Sequence, residues 1–244
     1  MFLCREKKTI KETLSIICEV SIMNTNEQYQ KKIERFYKHK RKLTRHLYFG
    51  DSVAPTLFSL NKGLVKEPVL DVGAGTGALV KTLKSNGYKN VVGIDLYPKV
   101  SFIKKGEITD LKFKDDSFNT VFCSEVLEHL TVQQINKGVR EINRILKPEG
   151  RLIVTVPYAE VLEENRYICP KCGHKFHKVG HLQSFDEIRI KKILEVAGFE
   201  VISIKVYAFG AMAKLPFGRY FNWLFRRLDY QSIGKTMMVV AQKR

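Results

Sequence analysis

Asp71, Gly73, Gly75 and Gly77 alternate with single residues at the end of an apolar run, Val69-Leu70-Asp71-Val72-Gly73-Ala74-Gly75-Thr76-Gly77. Glycines let the chain turn sharply and let a ligand reach the main chain, and a helix beginning near Ala78 offers unpaired N–H groups to whatever binds there. Eighteen residues beyond Gly77, at the end of the next apolar run, stands Asp95. There a carboxylate can accept both hydroxyls of a ribose. The chemistry implied is the binding of a nucleoside-bearing cofactor. An Asp-x-Gly-x-Gly-x-Gly order, with an acid ahead of the turn, departs from the Gly-x-Gly-x-x-Gly of nicotinamide dinucleotide sites.

A second chemistry lies in Cys169-Pro170-Lys171-Cys172-Gly173-His174-Lys175-Phe176-His177-Lys178-Val179-Gly180-His181. Thiolates in a Cys-x-x-Cys pair followed by imidazoles are tetrahedral Zn²⁺ ligands. The expected set is Cys169, Cys172, His177 and His181, with His174 able to replace either histidine. The interval is similar to that of retroviral-type zinc knuckles. A redox thiol pair and an unliganded loop are the alternatives. A fully ligated ion keeps no open position, so the zinc is expected to be structural.

The elements that must position these residues follow from periodicity. Apolar runs at 68–73, 91–96, 120–125, 151–157, 200–207 and 235–242 read as strands, and helical stretches between them give the alternation of a mostly parallel α/β sheet. Ala78–Asn86 reads as a helix. So does Val132–Lys147, with Val132, Ile135, Val139, Ile142, Ile145 and Leu146 on one face and Thr131 with Gln134 as a capping box. Ser184 and Glu187 suggest a second capping box before a helix over Asp186–Ala197 that Gly198 closes. Ahead of a turn at FGDSVAP, residues 29–47 form a basic amphipathic stripe. Cofactor residues and zinc loop then share the carboxyl edge of the sheet, where open α/β sheets bind ligands.

With these segments in order, the chain resembles the class I S-adenosylmethionine-dependent methyltransferases over residues 45–244. VLDVGAGTG looks like their first motif, GIDLYP like their second, GEITDLKFKDDSFNTVFCSEVLEHL like their adenine-binding and substrate-edge segments, and EINRILKPEGRLIVTVP like the helix before their fifth strand. The resemblance implies a Rossmann-like seven-stranded sheet, mostly parallel with an antiparallel last strand and helices on both faces. It implies that Gly73, Gly75 and Gly77 line the methionine part of S-adenosyl-L-methionine with Asp71 near its amino group. Asp95 then binds the ribose, Glu107 meets the adenine amino group and the Ile108 N–H meets the ring. Glu107 is a departure, since the family usually has Asp there.

Methyl transfer from a sulfonium is an in-line displacement, so the protein mainly aligns reactants and excludes water. For a hydroxyl acceptor a general base accelerates the step, and His129 is the candidate. If SEVLEHL is helical, Glu125, Glu128 and His129 share one face. The run is similar to that of ubiquinone-pathway O-methyltransferases, whose corresponding acids and His are linked to a divalent metal; metal-independent relatives have it too.

Charge and composition set the remaining bounds. With 44% hydrophobic and 27% charged residues the chain is globular rather than disordered. The net charge of +17 sits at the ends, with +7 in residues 1–45, +7 in 204–244 and +3 between them. Such ends suit a polyanionic neighbour, either nucleic acid or an anionic membrane surface, or are merely solvated. Five cysteines with one tight pair speak against a disulfide scaffold and for a cytoplasmic protein, and the basic ends add peripheral contact at the inner membrane face as an expectation. Residues 1–44 are expected to be a basic segment, with Met23 an alternative start that leaves 1–22 outside the product. Residues 45–244 form the methyltransferase domain, carrying the knuckle-like loop 169–181 and a basic aromatic insert at 208–232. In that insert Phe217, Tyr220, Phe221, Leu224, Phe225 and Leu228 make a helical stripe opposite Arg219, Arg226 and Arg227. It suits a lid, a membrane-interface helix or an RNA surface. The leading expectation is O-methylation of a small-molecule, glycan-type or lipid-linked acceptor. RNA methylation is the alternative, and a non-catalytic partner is a third class.

Overall fold

The computed structural model describes residues 49–168, 175–177, 179–208 and 235–244. The 29–47 stripe, Cys169, Cys172, His174 and nearly all of the insert lie outside them. The chain divides into two compact units, one of residues 49–160 with 182–244 and one containing residues 161–181.

The larger unit is built on a seven-stranded sheet. In chain order its elements are α1 (Phe49–Asn61), β1 (Val69–Val72), α2 (Ala78–Ser85), β2 (Val91–Asp95), β3 (Lys104–Lys105), β4 (Phe118–Ser124), α3 (Val132–Ile145), β5 (Leu146–Pro157) and α4 (Glu187–Val196). The unit ends with two strands, here numbered β8 (Phe199–Tyr207) and β9 (Thr236–Lys243) because β6 and β7 fall in the smaller unit. The sheet order is β3-β2-β1-β4-β5-β9-β8. Pairs from β3 to β5 are parallel, while β9 runs antiparallel to both β5 and β8. This is the expected sheet with its antiparallel last strand.

Alternation along the strands splits the core between the two faces. Leu70, Val72, Val121, Cys123, Leu152, Val154, Met237 and Val239 pack with Ile135, Val139 and Ile142 of α3 and Ile190 and Leu194 of α4. Their neighbours Val69, Phe122, Ile153, Met238 and Val240 pack with Val53, Leu57 and Phe58 of α1 and Leu79, Val80 and Leu83 of α2. Strands covered on both faces read as continuous apolar runs, which is why they were legible.

Two local readings need correction. The FGDSVAP segment is not a turn but the first half of α1, which keeps Pro55 inside it. Val53, Ala54, Leu57 and Phe58 are all buried, and burying that stripe outweighs the one ladder bond that the proline removes. The cap of α4 is Asp186, whose Oδ1 accepts from the Arg189 N–H at 2.7 Å, and not Ser184. Arg189 instead donates to the Ser184 carbonyl at 2.6 Å. The capping box of α3 is present, with Gln134 N–H donating to Thr131 Oγ1 and Thr131 N–H to Gln134 Oε1.

Arg144, on α3, fixes the segment leading into β4. Its guanidinium donates to the carbonyls of Leu111 (2.8 Å) and Phe113 (2.9 Å) and pairs with Asp115 (2.7 Å) and Glu141 (2.8 Å).

In the smaller unit β6 (Arg166–Ile168) pairs antiparallel with β7 (Lys175–His177). A 3₁₀ turn over Leu162–Asn165 precedes them. After β7, Gly180 turns at φ +83° and donates its N–H to the His177 carbonyl at 3.1 Å.

Candidate active site

The glycine loop leaves the carboxyl end of β1 with Gly73, Gly75 and Gly77 at φ +77°, +52° and +76°, a region that residues with a Cβ occupy only at a cost. A Cβ at Gly73 would collide with Val126 and one at Gly77 with the Phe102 ring, whereas at Gly75 the nearest atom is the Gly73 carbonyl oxygen at 4.0 Å. Gly73 and Gly77 therefore let neighbouring side chains close on the loop. Gly75 is where its main chain stays open.

Asp95 ends β2 and anchors this loop. Its Oδ2 accepts the Gly75 N–H and its Oδ1 the Tyr97 N–H, each at 2.8 Å. Every carboxylate oxygen has a second lone pair, so acceptor capacity is left for two hydroxyls of a ligand. Asp71 is buried in β1, and burial, reinforced by the charge of Asp95, pushes its carboxyl up from 3.8 to about 7. A buried acid poised there gains by meeting a cation. The open main chain at Gly75 and this pair of carboxylates fit a ligand with a ribose at one end and an ammonium at the other.

Glu107 and Ile108 sit in the turn after β3. Glu107 is exposed, and its Oε1 accepts from the Thr109 hydroxyl at 2.5 Å. The Ile108 side chain is buried against Gly138 of α3, where a Cβ would come within 2.9 Å of it.

The segment following β4 is not an α-helix, so the condition for a shared face of Glu125, Glu128 and His129 is not met. Glu125 takes a left-handed conformation at φ +54°, and only Leu127–His129 is helical, as a single 3₁₀ turn. The backbone is held there by the β5 edge, since Glu125 N–H donates to the Thr155 carbonyl at 2.9 Å. Glu128 is fully buried with no hydrogen bond to either carboxylate oxygen, and Glu125 is half-buried with an enclosed, unbonded Oε1. His129 places its Nε2 3.9 Å from Glu128 Oε1. Burial pushes the Glu125 carboxyl up to about 7, partly opposed by a hydrogen bond with Thr155 and reinforced by Glu160. Burial and the charges of Glu125 and Glu160 hold Glu128 well above the usual carboxylate range. Glu160 is the member that sequence reasoning missed. Its signal was faint: the first acid past an apolar strand, at that strand's carboxyl end.

In the smaller unit His177 and His181 come together, rings stacked with centroids 4.7 Å apart. The Nδ1 of His177 accepts the His181 N–H at 3.1 Å and the Val179 N–H at 3.4 Å. That selects the tautomer with the proton on Nε2, so ligation by His177 needs loss of that proton or a turned ring. Among the described residues Glu125 joins no group of three ligand atoms within 4.8 Å of one another.

Comparison with known proteins bears on the family and the fold. Residues 25–204 match the family model described as Methyltransferase domain. The demethylmenaquinone methyltransferase of Tropheryma whipplei (strain Twist) is 30% identical over 179 residues, which cover 60% of this chain and 72% of that protein. Two solved structures share the fold. The 1,6-didemethyltoxoflavin-N1-methyltransferase of Burkholderia thailandensis, with bound 1,6-didemethyltoxoflavin and S-adenosylhomocysteine, matches 91% of this chain and 92% of its own at a TM-score of 0.61 and 15% identity. A SAM-dependent methyltransferase from Archaeoglobus fulgidus matches 85% and 100% at 0.58 and 16%.

The fold and the match define an S-adenosylmethionine-dependent methyltransferase of class I. The chain belongs to the methyltransferase domain family.

Proposed function

We propose that the protein methylates a hydroxyl of a small-molecule, glycan-type or lipid-linked acceptor, with His129 as general base. The observation that carries this reading is the closure of the 125–129 segment onto the cofactor loop, where Val126 fills the space that a side chain at Gly73 would need. It supports the reading because the segment that carries His129 leaves the carboxyl end of β4 and touches the glycine loop through Val126. When bound, S-adenosylmethionine supplies a methyl group on a positively charged sulfur. Gly73, Gly75 and Gly77 line its methionine part, Asp71 meets the amino group, Asp95 the ribose hydroxyls, and Glu107 with the Ile108 N–H the adenine. Glu107 keeps its Oε2 for that contact while its Oε1 holds the Thr109 hydroxyl.

Methyl-labelled cofactor incubated with enzyme and with cell extract divided into RNA, lipid and small-molecule fractions tests the acceptor class. Label is expected in the small-molecule or lipid fraction. Label confined to RNA would establish the second reading, which the net charge of +17 favours. No described helix is long and apolar enough to cross a membrane. Contact with the inner membrane face, if the acceptor is lipid-linked, rests on the basic ends.

The state of Asp71 makes binding depend on pH. Its carboxyl ionises at about 7 in the free protein, and an ammonium ligand selects the ionised form. Cofactor affinity is expected to fall about tenfold from pH 7 to about pH 5.7 as that form becomes scarce. Stability of the unliganded protein runs the other way. Between the unfolded value of 3.8 and the folded value of about 7, the native state holds the extra proton, so stability declines as pH rises through this window. The melting midpoint without cofactor should be higher at pH 5.5 than at pH 8, and Asp71→Asn should reduce that difference, the raised carboxyls of Glu125 and Glu128 supplying the rest.

Cys169, Cys172, His177 and His181 are inferred to hold a structural zinc. The approach of the two imidazoles supports it, a ligand atom of each lying within 4.8 Å of the other, and binding requires the proton shift or ring turn of His177 described above. Elemental analysis of protein purified without chelators is expected to find one zinc per chain, lost in the Cys169→Ser/Cys172→Ser variant. A metal-free wild-type preparation would remove the zinc from this account.

A further inference from the structure

We propose that β8 is an interface between two copies of this chain, joined antiparallel across a two-fold axis so that their sheets continue as one. β8 ends the sheet order and, among the described strands, pairs with β9 alone. The opposite edge is the two-residue β3, whereas β8 offers nine residues, Phe199–Tyr207. A long edge of N–H and C=O groups is a template for another strand, and folded proteins blunt such edges or cover them.

The direction of these groups follows from two hydrogen bonds. Arg244 N–H donates to the Gly198 carbonyl at 3.2 Å, and Tyr158 N–H to the Lys235 carbonyl at 2.9 Å. In an antiparallel ladder alternate residues turn both backbone groups to the same neighbour. The even-numbered residues of β9 therefore face β8 and the odd-numbered ones face β5. Glu200, Ser203 and Lys205, opposite Gln242, Val240 and Met238, accordingly bond to β9. Phe199, Val201, Ile204 and Val206 turn their N–H and C=O groups outward.

A bulge makes this edge complementary to itself. The register against β9 shifts between Val201 and Ser203, which leaves Ile202 as the extra residue. Glu200 and Lys205 would point to opposite faces of a regular strand, and the bulge returns them to one face. Burial agrees, since Phe199, Val201, Ile204 and Val206 all pack with the core under α3 and α4. Counted from the bulge, Val201 and Ile204 stand first on either side, Glu200 and Lys205 second, Phe199 and Val206 third. A two-fold axis through the bulge sets Val201 opposite the partner's Ile204, Phe199 opposite the partner's Val206 and Glu200 opposite the partner's Lys205. The first and third pairs exchange the outward hydrogen bonds. The second is a non-hydrogen-bonded pair, in which side chains lie closest.

Edge charges ordinarily repel a second copy. Here an acid and a base, both exposed and neither in an ion pair among the described residues, stand at equal distances from the axis, so the symmetry matches them twice. Ile202, 47% exposed, lies at the axis, and α4 on the same edge adds Ile188 at 80% and Val196 at 68%. Such apolar surface gains by leaving water.

The full chain is tested by sedimentation equilibrium, where twice the mass of one chain is expected at micromolar concentration. Glu200→Lys and Lys205→Glu each place like charges in both pairs and should weaken the dimer at least about tenfold. Mixed together, the two variants should form a heterodimer, because the altered pairs are then of opposite sign. Register is read with Glu200→Cys/Lys205→Cys under mild oxidation. The Cα atoms of a non-hydrogen-bonded pair stand about 4.5 Å apart, within reach of a disulfide, so a covalent dimer is expected beyond any that wild type gives. Each single Cys variant should add none, since the two copies of one residue stand four positions, roughly 13 Å, apart. Circular dichroism checks that every variant folds. A wild type monomeric at all concentrations would overturn the proposal and leave the edge to a segment of the same chain. A dimer whose double Cys variant does not cross-link, or whose single variants cross-link equally, would overturn it in favour of another surface.

Discussion

Asp95→Ala is expected to weaken S-adenosylmethionine binding by about 10²- to 10⁴-fold, since two hydrogen bonds to a charged group are worth roughly 1.5–3 kcal/mol each. The carboxylate has a second task that enlarges the effect. It holds the N–H groups of Gly75 and Tyr97, so its loss frees the open point of the glycine loop. Asp95→Asn keeps one acceptor oxygen and should fall between Ala and wild type. Titration calorimetry measures both, and a melting curve shows that the sheet persists, as β2 remains packed through Val91 and Ile94. An Ala variant with unchanged affinity would disprove the assignment.

His129→Ala should leave cofactor affinity almost intact and slow turnover by about 10²-fold or more, the usual effect of removing a general base. The buried neighbour shapes this outcome. A proton arriving on the imidazole 3.9 Å from Glu128 Oε1 favours ionisation of that acid, whose charge then stabilises the imidazolium. Glu128→Gln should consequently move the acid limb of the rate–pH profile, which a merely packing role for Glu128 would not do. Wild-type turnover in His129→Ala would return the histidine to a structural cap.

What the sequence made legible follows from which forces act locally. The strands were readable because both sheet faces are covered, and the α3 capping box because its bonds join residues three apart. α1 was not readable, since Gly50, Asp51 and Pro55 spell a turn and only contact with the sheet makes a helix of them. Asp186 took the cap from Ser184 because Arg189 fastens the preceding carbonyl, a contact between residues that no cap motif includes. At the site, the glycine turn and Asp95 were visible as spacing. The condition of Glu128 was not, because burial without a partner depends on chain segments far apart in sequence. The condition under which Glu125, Glu128 and His129 would share a helical face is not met, because Glu125 takes a positive φ and only Leu127–His129 turns.

The position of β9 between β5 and β8 has a consequence during synthesis. A ribosome delivers β5 and β8 long before the strand that joins them, so both wait with unsatisfied edges while the remaining chain emerges. Five of the seven strands, β3 through β5 in the sheet order, can assemble early from neighbours close in sequence; the other two close only once β9 has emerged. In this interval the apolar faces of β8 and α4 are exposed to other nascent chains, a window in which chaperone holding has most to offer. Shortening the chain before Thr236 would accordingly strand two β-edges at once, and should yield aggregates rather than a smaller enzyme.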